Sequence, residues 1–296
     1  MPNSHTKPPD EWTVLSMLEW CTAFFQKKGV ANPRLSIEWL LSAVLEVRRL
    51  DLYLKYDRPL SESELELLRP LVKRRADQEP LQYILGSTDF MQCTIAVDSR
   101  VLIPRPETEQ LVELLLHSAG SEEKSPLTLL DIGTGSGCIP ISISKERPAW
   151  KCSGLDISEQ ALELARENAL RNETDVTFFL MDLFDITAAG DLPEKSYDLI
   201  ISNPPYIEPD ERDSLEPQVV QYEPELALFE ENPIRLYTHL IAIASAALRP
   251  GGKLFLECNP RHIDQVHRIA GQTFSTARIH QDYSQTGRFV EALKQP

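Results

Sequence analysis

The stretch "LLDIGTGSGCIPIS", residues 129–142, decides the fold. It begins as an apolar run of strand character, passes through Gly133, Gly135 and Gly137, and ends in a helical pattern. Glycines at alternate positions let the backbone turn tightly and approach a ligand closely, and the helix that follows offers free N–H groups at its start. A strand, a glycine turn and a helix in that order imply a small-molecule site at the C-terminal edge of a first strand. Alone the triplet is a weak signal, because glycine turns also serve purely structural ends. A dinucleotide fingerprint would need glycine at position 138, where the chain has Cys138.

Downstream of this stretch, strand and helix signals alternate. Strands are expected at "LTLLDI" (127–132), "KCSGLDI" (151–157), "VTFFLMD" (176–182), "YDLIIS" (197–202) and "GKLFLEC" (252–258). Helices such as "SEQALELAREN" (158–168) and "RLYTHLIAIASAALRP" (235–250) lie between some of them, and "STARIHQD" (275–282) and "RFVEALK" (288–294) are two closing strands. Such alternation implies an α/β fold with a mostly parallel sheet covered on both faces.

Upstream the pattern is helical. Val14, Leu15, Met17, Leu18, Cys21, Phe24 and Phe25 recur at three- and four-residue spacing, as do Ile37, Leu40, Leu41, Val44 and Val47. "NPRLSIEW" (32–39) punctuates the gap between these two helices, and "SESELELLRPLVKRR" (61–75) opens a third, with Ser61 and Glu64 at capping-box spacing. The expected organisation is a small helical bundle over 1–86, a β-hairpin linker over 87–109 ending in a rigid Pro-Arg-Pro, and a catalytic domain over 110–296. The aromatic residues of the bundle read as core packing.

A length of 296 residues fits two domains, and 42% hydrophobic with 25% charged residues is ordinary for a globular chain. No apolar run approaches membrane-spanning length. The start, "MPNSHTKPPDEW", is polar and proline-rich without signal-peptide character, so a disordered beginning and a cytoplasmic location are expected. Five cysteines without a C-x-x-C pair imply reduced thiols and no metal site. Thirty basic against forty-five acidic residues give a formal charge of −15, which repels polyphosphate and counts against nucleic-acid binding.

Three further positions point at chemistry. Asp156 ends the second strand, where a carboxylate can accept hydrogen bonds from both ribose hydroxyls; its bland role, capping the next helix, is already open to Ser158. Asp182 follows the third strand as an acceptor for an adenine amino group, with Leu183 and Phe184 as apolar cover. After the fourth strand comes "SNPPYI" (202–207), facing the same crevice in a doubly wound sheet. A planar nitrogen is poorly nucleophilic and must be oriented. The Asn203 side-chain oxygen and the Pro204 carbonyl can accept its two N–H bonds, proline restricts the corner, and Tyr206 can stack on the acceptor. No strong general base is required, because the proton can leave after transfer.

The G-x-G-x-G spacing resembles the first motif of S-adenosylmethionine-dependent methyltransferases. Together with "PLQYILGSTDF", "LIPRPETE", "LDIS", "SNPPYI" and "EPELALF", nearly the whole chain resembles the protein-(glutamine-N5) methyltransferases of peptide chain release factors, the PrmC/HemK family. The resemblance implies a Rossmann-like class I methyltransferase sheet and S-adenosylmethionine as cofactor. It also implies methyl transfer to the side-chain nitrogen of the glutamine in the Gly-Gly-Gln motif of class 1 release factors, supporting translation termination. On the matching positions, Gly133, Thr134, Gly135, Ser136, Gly137, Asp156, Asp182, Leu183 and Asn203 would hold the cofactor. Asn203, Pro204, Pro205 and Tyr206 would hold the glutamine, with Arg105 and Glu107 lining the crevice or pinning the linker.

Two stretches depart from the family pattern: "EENPIRLY" follows "EPELALF" in place of a glycine-rich continuation, and "DYSQTGRF" lacks an early glycine. The expected protein is a monomer with no nucleic-acid or membrane partner, its bundle recognising the release factor. N-P-P-Y alone is shared with enzymes that methylate nucleic-acid bases, which keeps a nucleic-acid amino-methyltransferase as the competing reading. A non-catalytic partner of the translation machinery is the third.

Overall fold

A computed structural model describes residues 11–120, 126–194 and 196–296; the start read as disordered lies almost wholly outside them. The chain divides into two compact units, Met1–Gly86 with Glu216–Tyr222, and Ser87–Leu215 with Glu223–Pro296.

The first unit holds α1 (Val14–Lys27), α2 (Pro33–Val44), a 3-10 turn Arg49–Leu54, α3 (Glu62–Ala76), α4 (Leu81–Leu85) and, from later in the chain, the short helix Pro217–Tyr222. Capping chemistry sets two of the starts. Ser61 Oγ accepts from Glu64 N at 3.3 Å while Glu64 Oε2 accepts from Ser61 N at 2.9 Å, as the sequence spacing predicts. Thr13 and Ser16 form the same reciprocal pair before α1. "NPRLSIEW" does not separate two helices as expected but opens α2. Asn32 takes a left-handed φ of 47° and Pro33 stands at the first helical turn, where its missing N–H costs nothing. Val47 lies beyond the helix and packs only against the edge of the core.

Apolar faces of α1, α2 and α3 meet in one core, with Leu18, Cys21, Phe25, Ile37, Leu40 and Leu41 fully buried. Two charged groups are buried with them. Burial alone would raise the Glu38 carboxyl, but hydrogen bonds from Tyr53, Arg34 and Arg49 hold it below its ordinary value. Arg75 donates to Glu79 O, Ser36 Oγ, Ala31 O and Gln218 Oε1, which fixes the later Pro217–Tyr222 helix within this unit.

The second unit opens with a hairpin of β1 (Ser87–Phe90) and β2 (Cys93–Ala96), then α5 (Pro106–Ala119), β3 (Thr128–Ile132), α6 (Cys138–Glu146), β4 (Lys151–Asp156), α7 (Glu159–Arg171), β5 (Val176–Leu180) and β6 (Tyr197–Ser202). After α8, the Pro217–Tyr222 helix already named, come α9 (Glu225–Leu228), α10 (Pro233–Ala247), β7 (Leu248–Glu257), α11 (Ile263–Thr273), β8 (Thr276–Gln281) and β9 (Gly287–Leu293). The seven-stranded sheet runs β5-β4-β3-β6-β7-β9-β8. Its first five strands are parallel, and β9 pairs antiparallel with both β7 and β8. β3 therefore has β4 on one side and β6 on the other. Strand order reverses there, which opens a crevice beyond the carboxyl ends of the strands. This is the mostly parallel sheet that the alternation of signals implies, and it matches the class I methyltransferase sheet that the resemblance implies. β6 is buried along its whole length, as a central strand covered on both faces must be.

Both departures from the family pattern have local solutions. At "EENPIRLY", Asn232 Oδ1 accepts from Arg235 N at 3.0 Å and caps α10. At "DYSQTGRF", Gln285 adopts φ 63°, the left-handed conformation that glycine takes most cheaply. Asp282 compensates by accepting from Thr286 N and from Arg288 around the turn. No helix among the described residues is long and apolar enough to cross a membrane.

Candidate active site

β3 delivers the chain into the glycine loop. Gly133, Gly135 and Gly137 all have positive φ, 76°, 52° and 77°. The N–H groups of Gly133 and Thr134 both donate to Leu155 O at 2.9 Å, which ties the loop to the end of β4. The three glycines do different things. A Cβ on Gly133 or Gly135 would meet nothing within 4 Å, whereas one on Gly137 would lie 3.0 Å from Ile141 Cδ1, 3.0 Å from Phe178 Cζ and 3.1 Å from Ala165 Cβ. Gly137 allows close packing of α6; Gly133 and Gly135 leave open space.

That space belongs to a cavity of about 460 Å³. Gly133, Gly135, Asp156, Asp182, Leu183, Asn203, Pro204 and Pro205 all line it, which joins the ends of four strands in one site. Asp156 Oδ2 accepts from Gly135 N at 2.8 Å and Oδ1 accepts from Ser158 N at 2.9 Å. Ser158 Oγ in turn caps α7 by accepting from Ala161 N. Burial raises the Asp156 carboxyl, against these backbone N–H bonds, which favour its charge. Each oxygen has spent one lone pair and keeps another. Asp182 Oδ1 accepts from Phe184 N, starting a short 3-10 turn, and leaves its second oxygen uncommitted by any bond within that turn.

The donor set fits S-adenosylmethionine. Two glycines bound the space that a Cβ would enter, Asp156 keeps acceptor capacity for a diol, and Leu102, Ala161, Met181 and Leu183 supply apolar wall for a planar ring.

Other expected site residues are placed differently. Thr134 and Ser136 are buried beneath the loop, not in the cavity wall, and Ser136 O accepts from the fully buried Asn168. Asn168 also exchanges hydrogen bonds with both backbone groups of Ala96, so α7 clasps the hairpin and the loop together. Tyr206 does not line the cavity; its hydroxyl donates to Glu257 Oε1 at 3.1 Å and its ring packs against the sheet core. Arg105 and Glu107 lie outside the wall as well. Arg105 donates to Glu223 Oε1 at 2.6 Å while Glu223 Oε2 accepts from Ile103 N, so this arginine pins the segment before α5. Asn203 Nδ2 donates to Thr108 Oγ1 at 3.0 Å, and Thr108 Oγ1 donates to Glu257 Oε2 at 2.8 Å.

Sequence similarity converges on the same chemistry. A relative from Geobacter sulfurreducens named release factor glutamine methyltransferase is 41% identical over 267 residues, 90% of each chain. One of the same name from Chlorobaculum tepidum is 36% identical over 293 residues, 97% of this chain and 100% of that one. The chain belongs to the release factor glutamine methyltransferase family. Models of the PrmC N-terminal domain and of the methyltransferase small domain match residues 16–86 and 108–222. A methyltransferase from Pyrococcus furiosus shares the fold, with TM-score 0.50 at 18% identity over 69% of this chain and 90% of that one. So does a 16S rRNA methyltransferase from T. thermophilus solved in complex with AdoMet and guanosine, with TM-score 0.50 at 18% identity over 71% of this chain and 50% of that one. As a member of this family the chain is an S-adenosylmethionine-dependent methyltransferase.

Asp131 is a site-side residue that periodicity hides inside "LLDI". It is fully buried in β3, where the Thr134 hydroxyl only partly offsets the burial of its carboxyl. Burial pushes its carboxyl up to about 7. With a folded value above the unfolded one, its contribution to stability is complete below the ordinary carboxylate range and is lost as pH rises to about 7. Asp131→Asn is therefore expected to flatten the loss of thermal stability between pH 5 and pH 8, as measured by calorimetry. An unchanged slope would show that the carboxyl is compensated.

Proposed function

We propose that this protein transfers a methyl group from S-adenosylmethionine to the side-chain nitrogen of the glutamine in the Gly-Gly-Gln motif of class 1 release factors. The observation that carries the reading is one cavity wall shared by Gly133, Gly135 and Asp156 with Asn203, Pro204 and Pro205. The cofactor, when bound, supplies an electrophilic methyl group on a sulfonium. Gly133, Gly135, Asp156, Asp182 and Leu183 hold it. Asn203 Oδ1 and the Pro204 carbonyl accept the two N–H bonds of the glutamine amide and aim its nitrogen, so that rate comes from orientation and fixed dipoles. Tyr206, tethered through its hydroxyl, stiffens the corner. Arg105 acts through Glu223 to set the start of α5.

The −15 charge supports a protein acceptor over a nucleic acid. The enzyme acts as a cytoplasmic monomer. Incubation with methyl-labelled cofactor and, in parallel, release factor, ribosomal RNA and DNA tests the substrate class. Label on protein alone is expected; label on nucleic acid with none on release factor would reverse the assignment.

An amide pocket cannot choose one glutamine among many, so the helical unit recognises a release-factor surface away from the reacting residue. Leu50 and Leu54, 69% and 85% exposed on the 3-10 turn of that unit, are apolar groups suited to such a contact. Leu54→Glu is expected to raise KM for intact release factor without lowering thermal stability. An unchanged KM would remove this turn from the recognition surface.

A further inference from the structure

We infer that Thr108 and Glu257 are positioning residues that fix which end of the Asn203 amide faces the reacting nitrogen, an inference that rests on the functional reading above. Glu257 ends β7 and is 1% exposed. Two hydroxyls converge on its carboxylate, Thr108 Oγ1 at 2.8 Å from Oε2 and Tyr206 Oη at 3.1 Å from Oε1. Its backbone carbonyl accepts from Tyr237 Oη at 2.8 Å.

The direction of each bond follows from what these groups can do. An ionised carboxylate only accepts, so Thr108 must give Glu257 its single hydroxyl proton. Toward Asn203 the threonine then has lone pairs alone. The Asn203 atom 3.0 Å away must be the donor Nδ2, since a flipped amide would press Oδ1 against another acceptor. Oδ1 is thereby turned away from Thr108, on a residue that lines the cavity. It becomes an acceptor for a substrate N–H. Flipped, Asn203 would meet the glutamine amide donor to donor.

Three distant parts of the chain make this relay. Thr108 is set by the first turn of α5, whose approach is pinned by Arg105 and Glu223; Glu257 is set by the pairing of β7 with β9, where it stands opposite Phe289. The titratable and charged groups facing Glu257 are Tyr206 from the corner, Tyr237 from α10, neighbouring Cys258, Arg288 from β9 and Glu107 from α5. Burial dominates their influence and pushes the carboxyl up to about 7. Below that value the protonated acid can donate to Thr108, which then donates to Asn203 and reverses the amide. Turnover should fall as pH falls through about 7.

The test combines single-turnover methylation of release factor with the NMR signal of the Asn203 side-chain amide, identified by its loss in Asn203→Asp. Thr108→Val is expected to lower kcat on the order of 10²-fold with the dissociation constant for S-adenosylmethionine unchanged. Thr108→Ser, which keeps the hydroxyl, recovers most of the rate. In wild type the Asn203 signal shifts as pH passes through about 7, and in Thr108→Val or Glu257→Gln it does not. A Thr108→Val enzyme with wild-type kcat, or a wild-type Asn203 signal indifferent to pH, overturns the relay. If wild type transfers no methyl to release factor, the functional reading fails, and the amide signal alone decides the relay.

Discussion

Asn203→Ala is expected to lower kcat for release-factor methylation on the order of 10²- to 10³-fold. Cofactor affinity should change far less. The asymmetry follows from where the side chain stands. Asn203 shares the cavity with the cofactor residues, but the loop that would hold the cofactor is tied by Leu155 O and Asp156, whereas the asparagine amide is hydrogen-bonded to Thr108. Deleting the amide removes one oriented acceptor for the glutamine N–H and leaves the cradle intact. Isothermal calorimetry for binding and single-turnover kinetics for transfer separate the two effects. Wild-type turnover in the variant would refute the amide clamp.

Gly137→Ala is expected to cost roughly 2–5 kcal/mol of stability, combining left-handed strain with overpacking. Strain arises because Gly137 has φ 77°, and overpacking because a Cβ would stand 3.0 Å from two side-chain carbons and 3.1 Å from Ala165 Cβ, which has no rotamer to escape into. The fall in Tm should be on the order of 10 °C. Gly135→Ala makes the contrast. Its Cβ meets nothing in the protein, so stability suffers only the backbone strain, about 1 kcal/mol. The methyl instead projects into space that the cofactor needs, and affinity for S-adenosylmethionine should drop about tenfold or more. Thermal melts with and without cofactor distinguish the two. Equal losses of Tm in both variants would show that the loop glycines do not divide the labour this way.

Much of the fold is legible in the sequence because its signals are local. Strand runs such as "YDLIIS" carry their own apolar continuity, and Ser61 with Glu64 announces a helix start within four residues. General rules of parallel sheets narrow the possible strand orders, and the folded chain discloses which of them is taken. The two loops that depart from the family pattern could not be foreseen in detail. Gln285 gives no sign of its left-handed φ, because the hydrogen bonds that sustain it come from the surrounding turn and from Arg288.

The site is legible in a similar proportion. Glycines and the Asn-Pro-Pro corner are marked by residue type, since few other residues can do those jobs. The support around them is not. Thr108 and Glu257 lie 149 positions apart, and nothing in either neighbourhood signals that they meet. Asn168 looks like one more polar residue at the end of a helix, yet it is fully buried and bonds both the hairpin and the glycine loop. Arg105, whose chemical role the sequence leaves open, is committed to Glu223 from "EPELALF", a pairing only the folded chain discloses.

The most direct measurement is the position of the transferred methyl. Purified enzyme is incubated with methyl-labelled S-adenosylmethionine and release factor carrying either Gly-Gly-Gln or Gly-Gly-Asn, and the products are mapped by peptide mass spectrometry. Label confined to the side-chain nitrogen of that glutamine, and absent from the asparagine form, is the predicted result. Label elsewhere in the release factor, or none despite confirmed cofactor binding, would contradict it.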